Sequence, residues 1–230
     1  ASPDAVSEYC DAALAVEQTP EPQIDDTMSE AEAAAALDEF AAEYRPLLQA
    51  ALDAAPDEIV EDGESVVAAF EELVASGDDS AFADPAVAGA LERIHAYDLD
   101  NCGWNEVVVT ASEYSFEGLP DALAAGPTSF ELVNDGSEIH HMVVARINDD
   151  VTMPVDEILQ LEQEDAMAYV EILPAEPFAL PGESDYAVND LAPGLYFAAC
   201  FIPVGTTGFD SPEDGPPHFA HGMVAEFTVE

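Results

Sequence analysis

The sequence predicts an α+β protein of two domains, a helical bundle over residues 1–104 followed by an antiparallel β-sandwich over residues 105–230. Three observations predict it. Apolar residues recur at helical spacing up to Gly103 and at period two after it. The later stretches are short and bounded by Gly, Pro, Asn and Asp. Cys10 and Cys102 stand at the two ends of the helical half. A chain of 230 residues with 49% hydrophobic content is long enough for two cores.

In the first half, SPDAVSEYCDAALAVE opens a helix with Ser2 and Pro3 as start signal. The stretch SEAEAAAALDEFAAEYRPLLQAALDAA sets Leu37, Phe40, Ala41, Tyr44, Leu47 and Leu48 on one helical face. Pro46 is expected to kink or divide this helix. DEIVEDGESVVAAFEELVASG and DPAVAGALERIHAYDLDN complete a four-helix region. His95 belongs to the last of these and reads as a partly buried structural residue. A Cys10–Cys102 bridge would clamp the first helix to the last, the alternative being two buried free thiols. Cys200 is then the unpaired cysteine.

In the second half, NEVVVTASEYSFEG, TSFELVND, EIHHMVVARI, SDYAVND, GLYFAACFIP and GMVAEFTVE read as strands. Such a run suggests an antiparallel sandwich. PVDEILQLEQEDAMAYVEIL, residues 154–173, reads as a helical insertion lying over it.

Charge narrows the function. The chain carries 50 acidic residues against 3 arginines, with no lysine. The carboxylates are spread along the whole length rather than gathered in a tail, which reads as adaptation to strong salt. At about 1 M salt the Debye length falls to roughly 3 Å, and like charges cease to repel at long range. Nucleic acid is excluded as a partner, because almost nothing basic is available to meet phosphates. No run of about 18 apolar residues is present, so no membrane span is expected. The opening ASPDAVSEYC is consistent with a mature exported chain whose signal has been removed.

Four of the five histidines lie in two short clusters, SEIHHMVVARI and GPPHFAHGMVAEF. A thiolate, two imidazoles and a weak thioether form the ligand set of mononuclear blue-copper sites, with the methionine on the long axis. This chain supplies those types in the order His, Cys, His, Met. Each has an ordinary alternative: Cys200 as a small buried hydrophobe, Met223 as core filler, His141 and His221 as solvated strand-end residues. Zinc is a further reading of HHM with HxxH, although the order and the thioether favour copper.

On these residues the chain resembles the cupredoxins, the plastocyanin- and halocyanin-like copper proteins, over about residues 105–230. VVVTASEYSFEGLPDALAAGPTSFELVNDGSEIHH is similar to the family's first strands, with Gly126 before a strand and Asn134 shortly before the first ligand. PGLYFAAC is similar to the strand that leads to the ligand cysteine, and HFAHGM to the family's His, three residues, Gly, Met. The resemblance implies one mononuclear copper held by His140, Cys200, His218 and Met223. It prefers His218 to His221 because five steps separate it from Met223. Strand parity prefers His140 to His141, since Met142 and Val144 share its inward face. One departure is large: 17 residues, 201–217, stand where the family has a few. The loop either closes at modest entropic cost or holds Cys200 away from His218. The function implied is one-electron transfer by an exported type 1 copper protein docking transiently on a redox partner protein, and not an enzyme. A copper-free binding or assembly module at the cell surface, or copper storage or delivery, is the alternative.

Overall fold

A computed structural model describes residues 3–20, 22, 24, 28–208 and 214–230. Ser2, the expected start signal, lies outside them. The chain forms two compact units, Ala1–Trp104 and Asn105–Glu230.

The first unit holds α1 (Pro3–Glu17), α2 (Glu30–Ala54), α3 (Val60–Ser76) and α4 (Pro85–Asn101). Local chemistry sets the ends. Ser29 and Glu32 form a reciprocal capping box at α2. Gly77, in the left-handed region at φ 71°, closes α3. Asp84 caps α4, with Pro85 in its first turn. Ala41, Leu48 and Phe70 centre the core, with Phe40, Tyr44 and Val67 packed against them. Two of the three arginines tie helices together: Arg45 on Glu71 at 2.7 and 2.9 Å, and Arg93 on Asp62 at 2.6 Å. Cys10 and Cys102 form a disulfide, with their Cα atoms 5.4 Å apart. Pro46 does not divide α2, which runs through it. Pro46 and Ala42 are both exposed, so water can satisfy the carbonyl that loses its donor.

The second unit is a sandwich of two sheets. One has the order β2-β1-β4-β9, from β1 (Asn105–Ser112), β2 (Ser115–Glu117), β4 (Gly126–Asn134) and β9 (Ser184–Leu191). The other has the order β3-β11-β10-β6-β7, from β3 (Ala122–Leu123), β6 (Val143–Ile147), β7 (Val170–Ile172), β10 (Gly194–Ala199) and β11 (Val224–Val229). A short pair joins β5 (His140–His141) to β8 (Phe178–Ala179). The sandwich is mostly antiparallel, as expected, with two parallel contacts, β1 with β4 and β3 with β11. The hairpin at β2 sends the chain across to the second sheet before β4 returns to the first, and that crossover makes both contacts parallel.

The inner faces of both sheets make one core, including Val109, Phe130, Leu132, Val144, Tyr196 and Phe227. A second core covers the outer face of β10, where Phe197 and Ala199 meet Val155, Ile158 and Val170. From Tyr196 to Ala199 strand β10 is therefore buried on both faces, which explains the apolar run YFAA, while Leu195 at its start is exposed. The helical insertion expected over 154–173 is only partly helical. It holds α5 (Val155–Ile158) and α6 (Gln163–Ala166), and then β7 adds to the sheet edge by pairing with β6. Each helical piece is a single turn, too short to persist without the apolar face beneath it.

Candidate metal centre

Three separate segments deliver the site. Asn134, at the end of β4, is buried, and its amide shapes the turn before the first histidine. Its Nδ2 donates to the carbonyls of Glu138 and Ala179 at 2.8 Å each, and its Oδ1 accepts from Gly136 N–H at 2.8 Å. His140 follows on β5, with Met142 and Val144 buried beyond it as parity requires. Cys200 directly follows β10. A short 3₁₀ turn, His218–His221, carries the second histidine, and Gly222 at φ 104° turns the chain back into β11.

The long connection between Cys200 and His218 is closed at its base. His218 N–H donates to Ile202 O at 2.9 Å, and Val204 N–H to Pro216 O at 3.0 Å. Pro203 and Pro217 form a bridge between these contacts. Phe219 N–H reaches Cys200 O at 2.9 Å, and Cys200 N–H reaches Met223 O at 3.2 Å. The loop thus leaves and returns at one point, with residues 209–213 of it outside those described.

His140, Cys200 and His218 come together. Nδ1 of His140 lies 3.1 Å from Nδ1 of His218, and that nitrogen lies 3.4 Å from Cys200 Sγ. One donor atom from each residue falls within 4.8 Å of the others, and all three residues are fully buried. Met223 is fully buried in the same core cluster as Cys200. His141 does not join them. Its Nε2 accepts Phe201 N–H at 2.7 Å, and its ring meets Phe178 and Phe201 edge-on. His221 is exposed, its ring 5.1 Å from Tyr114.

Carboxylates stand behind both histidines. Glu138 Oε2 lies 3.0 Å from His218 Nε2, and Glu113 Oε1 lies 3.8 Å from His140 Nε2. Tyr114 donates to Glu138 Oε1 at 3.2 Å and covers the His218 ring at 4.8 Å between centroids. Glu113, Tyr114 and Glu138 escape sequence reasoning, because nothing marks two acids among 50. The one available signal is that Glu138 stands two residues before His140.

Burial sets the protonation. Desolvation, then neighbouring His218, pushes His140 down to about 4, and desolvation likewise pushes His141 down to about 4. His218 is lowered by burial, with the Glu138 carboxylate pulling the other way. Burial pushes the Cys200 thiol up to about 11, opposed by backbone hydrogen bonds from His141 and Ile202. At neutral pH the imidazoles are neutral donors, and a thiolate persists here only beside a cation.

The donor set fits a thiophilic metal ion. Donors bonded to one ion at about 2.0–2.3 Å lie no more than about 4.6 Å apart, and the 3.1 and 3.4 Å separations fall inside that limit. A second observation agrees. Nε2 of His140 is buried without a hydrogen-bond partner among the described residues. If Nδ1–H of His140 donates to His218, a bare lone pair is left facing the Glu113 carboxylate. If Nδ1 were to hold a cation, the proton would sit on Nε2, where it would face an anion instead.

No family model matches the chain, and no curated protein matches it. Solved structures similar to it include auracyanin from the photosynthetic bacterium Roseiflexus castenholzii, at 18% identity over 55% of this chain and 97% of that one, TM-score 0.32. Auracyanin A from Chloroflexus aurantiacus, described as a "blue" copper protein, is 15% identical over 54% of this chain and 98% of that one, TM-score 0.36. Plastocyanin from Dryopteris crassirhizoma is 20% identical over 54% and 99%, TM-score 0.28. A multi-copper oxidase from Pediococcus acidilactici is similar over 55% of this chain but only 26% of its own, at 10% identity and TM-score 0.31.

Proposed function

We propose that residues 105–230 are a domain in which His140 Nδ1, Cys200 Sγ and His218 Nδ1 would hold one copper ion, with Met223 as a weak thioether donor, and that it carries one electron. The observation that carries this reading is the buried convergence of two imidazole nitrogens and a thiol, at 3.1 and 3.4 Å. Copper bound there supplies a one-electron couple for which this mixture of hard and soft donors suits both oxidation states.

The chain's own contribution is to hold the donors still and dry. Asn134 fixes the turn before His140, while backbone hydrogen bonds from His141 and Ile202 hold the Cys200 sulfur. Full burial of all four residues keeps water from competing for the ion. Because no bond is made or broken in substrate, no catalytic base is required, and we assign no enzyme activity.

We further propose that the protein works outside the cytoplasm and in strong salt, docking on a redox partner protein. The Cys10–Cys102 disulfide and the 50 acidic residues against 3 basic ones support that setting. No described helix is long and apolar enough to cross a membrane.

One observation favours a second reading, a copper-free scaffold. The 3.1 Å contact between His140 and His218 can serve as a hydrogen bond that satisfies both Nδ1 atoms without an ion. Addition of Cu(II) to metal-free protein separates the two. An intense thiolate-to-copper absorption in the visible, at one copper per chain, supports the first reading. A colourless protein that retains no copper on desalting rejects it.

A further inference from the structure

The two histidines of the centre are held very unequally. His218 Nε2 meets the Glu138 carboxylate at 3.0 Å, whereas His140 Nε2 has no hydrogen-bond partner among the described residues. Glu138 is itself fixed from two other directions. The same Oε2 accepts Gly205 N–H at 2.6 Å, and Oε1 accepts the Tyr114 hydroxyl at 3.2 Å. The neighbouring backbone continues the attachment, with Ile139 N–H donating to Thr206 O at 2.8 Å. Gly205 and Thr206 belong to the long loop between Cys200 and His218, so one carboxylate touches both that loop and the histidine it delivers.

We propose that Glu138 is the positioning residue of this centre, fixing His218 with its proton on Nε2 and its Nδ1 lone pair facing Cys200 and His140, while pinning the inserted loop through Gly205. A carboxylate only accepts, so the nitrogen at 3.0 Å carries the proton and the other ring nitrogen is the free donor. An imidazole hydrogen-bonded to an anion is a stronger donor and favours the more highly charged oxidised ion. His140 has no such partner and takes the opposite tautomer in the metal-free protein, donating from Nδ1 to His218. To offer Nδ1 to a metal, His140 would therefore have to change its tautomer, whereas His218 would not.

The inference deepens the copper reading and rests on it for its effect on potential, but the tautomer can be read without any metal. Multiple-bond ¹H–¹⁵N spectra of metal-free protein near neutral pH are expected to show His218 protonated on Nε2 and His140 on Nδ1. Glu138→Gln retains a carbonyl acceptor, so His218 should keep its tautomer. With copper bound, losing the carboxylate charge should raise the reduction potential, weakening the preference for Cu(II) over Cu(I) by roughly tenfold. Glu138→Leu should lose the fixed tautomer as well and bind Cu(II) on the order of 10–100-fold less tightly. Should Glu138→Leu disturb folding, the Gln variant alone decides. An unchanged potential in Glu138→Gln overturns the electrostatic role, and an unchanged His218 tautomer in a folded Glu138→Leu overturns the positioning role. If the tautomers respond as expected but neither protein binds copper, the copper reading fails and the assignment of Glu138 to His218 is upheld.

Discussion

Nδ1 of His218 lies 3.4 Å from Cys200 Sγ, although 17 residues separate the two in the chain. The pairing of Ile202 to Val204 with Pro216 to His218 explains the proximity, because it reduces a long connection to a short one at the site. Loop length and site geometry are thereby uncoupled.

Ligand roles follow from the convergence. Cys200→Ser should abolish the visible charge-transfer band and most of the copper affinity, because a hydroxyl cannot replace the thiolate. His218→Ala should weaken binding, while His221→Ala, at an exposed position, should leave band and affinity unchanged. Met223→Leu should keep the band and raise the potential, since losing a weak thioether donor disfavours Cu(II). Absorption titration and voltammetry of the four variants check this; equal losses in His218→Ala and His221→Ala would reassign the second histidine.

Gly215 is the weak point of the loop base. A Cβ there would lie 2.6 Å from Val204 O, a backbone atom that cannot turn aside. Gly215→Ala should therefore spread the Val204–Pro216 pairing and loosen copper, with a cost on the order of 1–3 kcal/mol. Copper dissociation rates compared with wild type measure it, and an unaltered rate would show that the base does not hold His218.

Asp98 in α4 gives the helical unit a pH dependence. Burial pushes its carboxyl up to about 7, with a hydrogen bond from Tyr9 pulling the other way, and its Oδ1 has no hydrogen-bond partner among the described residues. The folded state binds this proton more tightly than the unfolded chain, for which an ordinary value is about 3.9. The stability contribution is therefore fully present below about pH 4 and is lost as pH rises through about 7, on the order of 2–4 kcal/mol. Denaturant unfolding of wild type and Asp98→Asn across this window should show a flatter dependence in the variant. Parallel curves would remove Asp98 as the cause.

The Cys10–Cys102 bridge joins residues 92 apart, which in the chain-entropy model is worth about 4–5 kcal/mol. Reduction should lower the unfolding midpoint of the helices. Before reduction, the unfolded metal-free chain should titrate one thiol, that of Cys200; a count of three would contradict the bridge.

Salt should raise the unfolding midpoint, because 50 acidic residues against 3 basic ones repel more in the compact chain than in the unfolded one. Most of the rise is expected below about 1 M, where screening approaches saturation. Thermal melts over a salt series check this, and a flat midpoint would show that surface charge does not limit stability.

Local pattern by itself determined the helical stretches, most of the strands and the residue types of the site. The face formed by Leu37, Ala41, Tyr44 and Leu48 turns inward, and His140, Met142 and Val144 are buried as parity expects, although they span the break between β5 and β6. These are short-range properties, written in residues a few positions apart. The tertiary structure alone decided what depends on distant segments meeting. The parallel pairing of β1 with β4 is a matter of chain crossover and leaves no period in either strand. The 154–173 segment carries a helical pattern, yet its last part becomes β7 because the open edge of β6 offers ladder hydrogen bonds. Closure of the loop at Pro203 and Pro217, and the placing of Glu113 and Glu138 behind two histidines, depend on contacts across as many as 80 positions. In a chain with so many carboxylates, an acid's identity says little; only its position behind an imidazole gives it a role.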